Sequence, residues 1–212
     1  QTSNVPKDRL HKMVSKKFTT RDGESIYGYL TMPKGKVERL IVYIHGGPYG
    51  IRDYDSYDFS EQYLASKGAA ILKVNYRGSG GYGTDFMEDA FKEWGGRLLN
   101  DIADATKAVQ KELSIGREQT CAFGASYGGY AALAMAYKYS ELYECVAGGM
   151  GVYDMLILRD GTDDSIYTTQ DNYEEIAKKH WGDNREVLID FSPVFNADKM
   201  QSRILMWHGL QD

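Results

Sequence analysis

The chain has 212 residues, of which 42% are hydrophobic and 26% charged, a balance typical of one globular domain with a sizeable core. Its formal net charge is -5 with acidic and basic residues interleaved, so no basic stripe indicates nucleic-acid binding. No run of 18 apolar residues predicts a membrane span, and no signal peptide is visible. The compartment, cytoplasmic or periplasmic, stays open.

The chain opens with a polar lead-in over 1–13, for which a helical stretch is predicted at 7–13. A hairpin is predicted next, because an Asp-Gly pair stands between two strand-like runs at 14–20 and 25–32. The main domain is therefore expected to begin at residue 14.

Strands and helices alternate after the hairpin. The continuous apolar runs at 40–44 and 69–76 are typical of strands buried on both faces, and a helix is predicted between them at 57–66. The glycine-rich loop 77–83 is not interpreted as a phosphate cradle, since no Gly-Lys-Ser/Thr follows it and no Gly-x-Gly-x-x-Gly opens a helix. Apolar residues at helical spacing predict an amphipathic helix over 96–113.

The second half continues the alternation. Strands are predicted at 120–123, 143–150 and 204–207, with a helix through 131–136 and a polar, partly helical stretch over 155–200. This order predicts a mostly parallel sheet with helices on both faces and an antiparallel hairpin at its start.

The two cysteines, Cys121 and Cys145, both fall in apolar strand-like runs. Two buried free thiols are expected here rather than a disulfide or a metal-binding pair. No spacing of cysteine and histidine matches a zinc site, so no metal is predicted.

The segment Gly124-Ala125-Ser126-Tyr127-Gly128 stands between a predicted strand and a predicted helix. Strand, Gly-x-Ser-x-Gly and helix form the nucleophile elbow of α/β-hydrolases. A serine hydroxyl needs a base to take its proton and must stand clear of the sheet to meet a carbonyl carbon. The sharp turn that exposes it requires small neighbours, which Gly124 and Gly128 supply. The alternative is a glycine-rich turn in which Ser126 merely caps the helix.

Other polar groups follow the predicted strands at their carboxyl ends. They are the segment 45–48, Asp154 and Asp212. In a parallel sheet these ends meet at one edge, where ligands bind. The N–H group of Tyr127 at the helix start is aimed at the same edge, where it can stabilise an oxyanion.

Taken together, these motifs resemble the catalytic domain of the prolyl oligopeptidase family of serine peptidases, in particular its bacterial dipeptidyl-peptidase and acylaminoacyl-peptidase branches. The matching strings occur in the family's order over about residues 14–212: His45-Gly46-Gly47-Pro48, Asn75-Tyr76-Arg77-Gly78-Ser79-Gly80-Gly81-Tyr82-Gly83, Glu93-Trp94-Gly95, Gly124-Ala125-Ser126-Tyr127-Gly128-Gly129-Tyr130, Ser192-Pro193 and His208-Gly209-Leu210-Gln211-Asp212.

The resemblance implies an α/β-hydrolase fold over 14–212 that lacks the last strand and helix, normally preceded by a β-propeller that screens substrates by size. It implies that Ser126 is the nucleophile and Asp212 the triad acid. The N–H groups of Gly47 and Tyr127 would form the oxyanion hole.

Two points beside the resemblance stay open. Tyr127, Val152 and Tyr153 are candidates to line an apolar substrate pocket, with ordinary core packing as the alternative. Asp154 is a rival for the triad acid because it also follows a strand. The alternative role for Asp154 is the N-cap of a helix. Asp212 is favoured, since its strand is the one nearer the expected histidine.

The family's triad histidine lies a few tens of residues beyond the acid. The four histidines of this chain all precede Asp212: His11, His45, His180 and His208. None fits the chain order of serine, acid and histidine. The chain is therefore expected to be a piece of a longer polypeptide with a propeller and a histidine-bearing segment, and to be nearly inert alone.

Three functions agree with these observations. The first is a serine peptidase that cleaves short peptides through an acyl-enzyme on Ser126. The second is an esterase that uses the same groups, and the third is a non-catalytic domain with a hydrolase-like fold. None of the three requires a cofactor, and no cofactor is predicted.

Overall fold

The computed structural model describes residues 6–161 and 170–210. Within these ranges one sheet contains the strands β1 (Met13–Thr19), β2 (Ser25–Thr31), β3 (Arg39–Ile44), β4 (Ala69–Asn75), β5 (Thr120–Ala125), β6 (Cys145–Gly149) and β7 (Arg203–Trp207). Their spatial order is β1-β2-β4-β3-β5-β6-β7. The pairs β1/β2 and β2/β4 are antiparallel and every later pair is parallel, which confirms the predicted mixed sheet.

The α-helices of the described residues are α1 (Phe59–Ser66), α2 (Thr84–Glu88), α3 (Arg97–Leu113), α4 (Tyr127–Lys138), α5 (Met155–Asp160), α6 (Gln170–His180) and α7 (Arg185–Phe191). Short 3₁₀ turns lie at Lys7–Arg9, Arg117–Gln119 and Pro193–Lys199. The part of the chain that the structure describes has no helix with the length and apolar character needed to cross a membrane.

The lead-in differs from its prediction. Only Lys7–Arg9 is helical, as a single 3₁₀ turn, and the expected helix over 7–13 is wrong beyond it. Met13 already belongs to β1, where it pairs with Thr31 of β2. Cross-strand pairing therefore replaces the local helical preference from Met13 onward.

Helices cover β4 from both sides, so all seven of its residues are buried. On one face Lys73 meets Glu61 of α1. On the other, Leu72 and Val74 join the main core with α3 and α4. In α3, Leu98, Ile102, Ala105 and Val109 recur at helical spacing and are fully buried, which confirms the predicted amphipathic helix.

Among the described residues, the face that α1 covers at β4 continues across β3 to β7, where it is partly exposed. Tyr43, Phe123 and Trp207 lie along it, with ring centroids 5.1 and 5.6 Å apart. Leu205 is 62% exposed and Trp207 37% exposed. A contiguous apolar surface of this kind is typical of a site that further protein covers.

The two cysteines form a disulfide across β5 and β6. Cys121 and Cys145 are direct partners in the strand register, with their Cα atoms 4.6 Å apart. This separation lies within the range that a disulfide spans. The expectation of two free thiols is therefore wrong, because the register that brings the two residues together is not visible in the sequence.

Candidate active site

Ser126 occupies the sharp turn between β5 and α4. Its backbone has φ 57° and ψ -126°, a conformation that residues other than glycine rarely adopt. The side chain is exposed and forms no capping hydrogen bond to α4. The alternative interpretation, in which Ser126 serves only as a helix cap, is thus not supported.

Close backbone contacts hold this turn in place. A Cβ on Gly124 would lie 2.5 Å from the backbone of Gly128 and 2.7 Å from the carbonyl oxygen of Ile44. The N–H of Ser126 donates to the carbonyl of Gly149 at 2.9 Å, which ties the turn to the end of β6. The sequence therefore places glycine where β3, β5 and α4 approach one another most closely.

The loop after β3 faces the serine. A Cβ on Gly46 would lie 3.4 Å from the Cβ of Ser126. The N–H groups of Gly47 and Tyr127 donate to no other residue that the structure describes. Two unpaired donors beside an exposed serine, one of them at the N-terminus of a 12-residue helix, suit a developing oxyanion.

His45 is the first residue of this loop and is 6% exposed. Its Nδ1 is 2.8 Å from the carbonyl oxygen of Gly46, and its Nε2 is 3.1 Å from Oγ of Ser79. Burial lowers the pKa of His45 to about 4, so the imidazole is neutral at neutral pH. His45 therefore has a hydrogen-bonded structural role, and it forms no hydrogen bond with the Ser126 hydroxyl.

The other histidines also lie away from the serine hydroxyl. His180 is half-buried against Tyr49 and Phe91, with ring centroids 4.8 and 4.7 Å away, and burial lowers its pKa. Nε2 of His208 is 3.4 Å from the carbonyl oxygen of Gly151. Among the described residues, no histidine is hydrogen-bonded to Ser126.

Of the two candidates for the triad acid, the structure describes only Asp154. Asp154 is the N-cap of α5, where its carboxylate accepts from the N–H groups of Leu156 at 2.8 Å and Ile157 at 3.2 Å. This capping role accounts for Asp154 without catalysis. Asp212 lies outside the described residues. Its strand β7 runs parallel to β6, with Trp207 level with Gly149.

The three residues expected around a substrate pocket lie in two different environments. The ring of Tyr127 is 1% exposed and its hydroxyl donates to the carbonyl of Trp94 at 2.9 Å. The ring therefore belongs to the core, which differs from the expected place beside a pocket. Val152 and Tyr153 are partly buried beside the end of β6, and the ring of Tyr153 approaches His208 at 6.1 Å.

The sequence alone predicted no role for Tyr76 and Arg77, which directly follow β4. Tyr76 donates its hydroxyl to the carbonyl of His45 at 2.8 Å and stacks on the imidazole at 4.3 Å. Arg77 forms a buried ion pair with Asp101 and a second pair with Asp22 of the hairpin turn, each at 2.6 Å. Both residues belong to the segment 75–83, which matched the family's sequence. The sequence of that segment does not show which side chains Tyr76 and Arg77 contact.

No metal site accompanies the serine in the described ranges, where no group of three or more His, Cys, Asp or Glu side chains is placed to hold an ion. An exposed serine with two backbone donors beside it provides groups that acyl transfer uses.

The strand order and the Gly-x-Ser-x-Gly turn between β5 and α4 define an α/β-hydrolase. A family model described as the prolyl oligopeptidase family matches residues 55–212. The chain belongs to the prolyl oligopeptidase family, a family of serine peptidases.

Named relatives agree with this assignment. Dipeptidyl aminopeptidase BIII of Pseudoxanthomonas mexicana is 30% identical over 92% of this chain and 30% of its own length. The acylamino-acid-releasing enzyme of Arabidopsis thaliana is 27% identical over 89% of this chain and 25% of its own length. The uncomplexed acylaminoacyl peptidase of Pyrococcus horikoshii is structurally similar, with a TM-score of 0.84 and 26% identity over 99% of this chain and 33% of that one. The chain thus spans about a third or less of these proteins.

Proposed function

We propose that this chain carries the nucleophile and the oxyanion hole of a serine peptidase that hydrolyses short peptides through an acyl-enzyme on Ser126. The observation that carries the proposal is the exposed, backbone-strained Ser126 beside the unpaired N–H groups of Gly47 and Tyr127. A nucleophile held clear of the sheet and donors aimed at the developing charge are the two requirements of acyl transfer.

The reaction follows from these groups. A histidine base takes the proton of the Ser126 hydroxyl as Oγ attacks the peptide carbonyl carbon. The carbonyl oxygen becomes an oxyanion and accepts hydrogen bonds from the N–H groups of Gly47 and Tyr127. The base then gives its proton to the leaving amine, and water cleaves the acyl-enzyme by the same steps. Asp212 is proposed to orient the base.

The histidine and the propeller are proposed to belong to the same polypeptide. The relatives in which this chain aligns are about three times its length or longer. The open sheet face at Tyr43, Phe123 and Trp207 supports further chain beside β7, since it leaves aromatic surface uncovered. By itself the 212-residue piece is proposed to be nearly inactive, because a triad without its histidine loses on the order of 10⁶ in turnover.

Short peptides are the proposed substrates. Two relatives are named as a dipeptidyl aminopeptidase and an acylamino-acid-releasing enzyme, and both names describe the release of small units from peptides. A propeller that limits entry by size would give the same preference. Val152 and Tyr153, at the end of β6, are proposed to contact the substrate side chain next to the cleaved bond.

The test compares Ser126→Ala with Ser66→Ala, an exposed serine at the end of α1, in the full-length polypeptide. Turnover of short peptides is expected to fall to background in Ser126→Ala and to stay at the wild-type rate in Ser66→Ala. Peptide turnover that survives in Ser126→Ala would refute the proposal. Hydrolysis of acyl esters alone, dependent on Ser126, would identify an esterase, and inactivity of the wild type would favour a non-catalytic domain.

A further inference from the structure

Arg52 lies at the edge of the sheet where the parallel strands end, on the segment that follows β3. On the same segment, a Cβ on Gly46 would lie 3.4 Å from the Cβ of Ser126. A Cβ on Gly47 would lie 3.3 Å from the Cβ of Ile51, the residue directly before Arg52. Because β3 and β4 lie on one side of β5 and β6 lies on the other, Arg52 stands near Ser126 on the side away from β6.

Hydrogen bonds fix the backbone on both sides of Arg52. The N–H of Gly80, in the loop after β4, donates to the carbonyl of Ile51 at 3.0 Å. Asn75 at the end of β4 is fully buried. Its Oδ1 accepts from the N–H of Asp53 at 2.8 Å, and its Nδ2 donates to the carbonyl of Asp53 at 3.1 Å. The loops after β3 and β4 therefore form one hydrogen-bonded unit that holds Arg52 in place.

The guanidinium of Arg52 contacts two tyrosine rings. Its Cζ lies 4.9 Å from the ring centroid of Tyr54 and 4.6 Å from that of Tyr82. Nε donates to the carbonyl of Asp53 at 3.3 Å, and Nη2 donates to the hydroxyl of Tyr82 at 3.1 Å. Aromatic faces attract a guanidinium without neutralising it. Arg52 thus has a fixed orientation and keeps its positive charge.

Most of the donor capacity of Arg52 is unused. A guanidinium has five N–H groups, and in the part of the chain that the structure describes only Nε and Nη2 donate. No carboxylate in the described ranges lies within ion-pairing distance of Arg52. The side chain is only partly buried, and Nη1 lies against Gly81, where a Cβ would come within 2.7 Å of it. A fixed guanidinium of this kind beside a peptide site suits a carboxylate, whose two oxygens match its paired N–H groups.

We propose that Arg52 binds a carboxylate of the peptide substrate, on the leaving-group side of the cleaved bond. This inference rests on the proposed function and deepens it, because it names a charge that the substrate carries. With Val152 and Tyr153 beside the acyl half at the end of β6, the leaving half extends the other way, toward β3 and β4, where Arg52 stands. The carboxylate belongs either to the free C-terminus of a short peptide or to an acidic side chain near it.

The test measures kcat/KM for pairs of short peptides that differ in one charge. One pair has a free C-terminal carboxylate or a C-terminal amide, and the other has glutamate or glutamine in the leaving group of the amidated peptide. In the full-length wild type, a carboxylate that contacts Arg52 is expected to raise kcat/KM about tenfold over its neutral counterpart. In Arg52→Gln this ratio is expected to fall to about one. Because both peptides meet the same protein, any loss of folded enzyme cancels in the ratio.

Arg39→Gln is the matched control. Arg39 is an exposed arginine at the start of β3, at the opposite edge of the sheet, so this substitution removes the same charge away from Ser126. It is expected to retain the wild-type ratio. A preference in the first pair identifies the C-terminus as the source of the carboxylate, and a preference in the second pair identifies the side chain. A wild type with no preference in either pair, or a preference that survives in Arg52→Gln, would overturn the inference.

Failure of this inference is distinct from failure of the proposed function. A wild type that cleaves all the peptides regardless of charge keeps the role of Ser126 and refutes only that of Arg52, whereas absence of any peptide turnover refutes both. If Arg52→Gln does not fold, a crystal structure of full-length Ser126→Ala with the uncleaved peptide decides. A carboxylate oxygen within about 3.2 Å of a guanidinium nitrogen of Arg52 supports the inference, and a carboxylate bound elsewhere refutes it.

Discussion

Gly128, in the first turn of α4, lies directly against the carbonyl oxygen of Ile44 at the end of β3. A Cβ at this position would overlap that oxygen. Because Ser126 stands two residues before Gly128 and the loop 45–48 directly follows Ile44, this contact sets the distance between the serine and the loop proposed to carry one oxyanion-hole donor.

Gly128→Ala is therefore expected to push α4 away from β3. The forced backbone shift should lower the free energy of unfolding by about 1–3 kcal/mol and reduce peptide turnover as well. Gly35→Ala is the matched control, because a Cβ on Gly35 meets no atom within 4 Å. Urea denaturation and steady-state kinetics of both variants check the prediction, and a Gly128→Ala protein as stable and active as the control would contradict it.

The Lys73–Glu61 ion pair joins β4 to α1 at 2.5 Å, with side chains 6% and 5% exposed. Thr31 of β2 donates a further hydrogen bond to Glu61 at 3.2 Å. Removing one charge leaves the other buried without its partner. Lys73→Met is therefore expected to lower the free energy of unfolding by about 3–5 kcal/mol.

The double variant Lys73→Met/Glu61→Leu tests the cause. Since it buries no unpaired charge, most of the lost stability should return. Equal destabilisation in the single and double variants would show that packing, rather than charge, is lost at this site.

Asp22 of the hairpin turn predicts a pH dependence of stability. Hydrogen bonds from Arg77 and then from Thr20 lower the pKa of Asp22 from 3.8 to about 2. A carboxylate with a lowered pKa stabilises the fold above its unfolded pKa, and this stabilisation is lost as the pH falls toward the folded pKa.

The difference in unfolding free energy between wild type and Asp22→Asn is thus expected to be constant above about pH 5 and to shrink toward pH 2. Urea titrations at several pH values measure it. Ser66→Ala, which changes no ionisable group, is the control and should show no such trend. A difference that grows as the pH falls would contradict the assignment.

The two candidate acids are separated by substitution. In the full-length polypeptide, Asp212→Asn is expected to lower kcat by about 10⁴, the effect of losing the carboxylate of a catalytic triad. Asp154→Asn should leave turnover unchanged, since asparagine caps a helix as well as aspartate does. Steady-state kinetics with one short peptide measure both variants, and the reverse pattern would move the triad acid to Asp154.

Much of the fold was predictable because its signals are local. The apolar runs of β3 and β4, the Asp-Gly turn and the spacing of α3 each reflect burial that a short window of sequence records. The elbow at Ser126 was predictable for the same reason, since its glycines are required by contacts within and beside one turn.

The rest depends on contacts between distant residues. The disulfide between Cys121 and Cys145 follows from strand register, which composition does not encode. The buried ring of Tyr127 was not predictable either, because an aromatic residue beside a serine is compatible with a pocket or a core. The stacking of Tyr76 on His45 joins two loops 31 residues apart.

The most direct test of the account is covalent labelling of the serine. The full-length polypeptide is treated with a fluorophosphonate, digested, and the modified residue located by mass spectrometry. The account predicts one adduct, on Ser126, that disappears in Ser126→Ala and persists in Ser66→Ala. An unlabelled protein, or an adduct on any other serine, would contradict it.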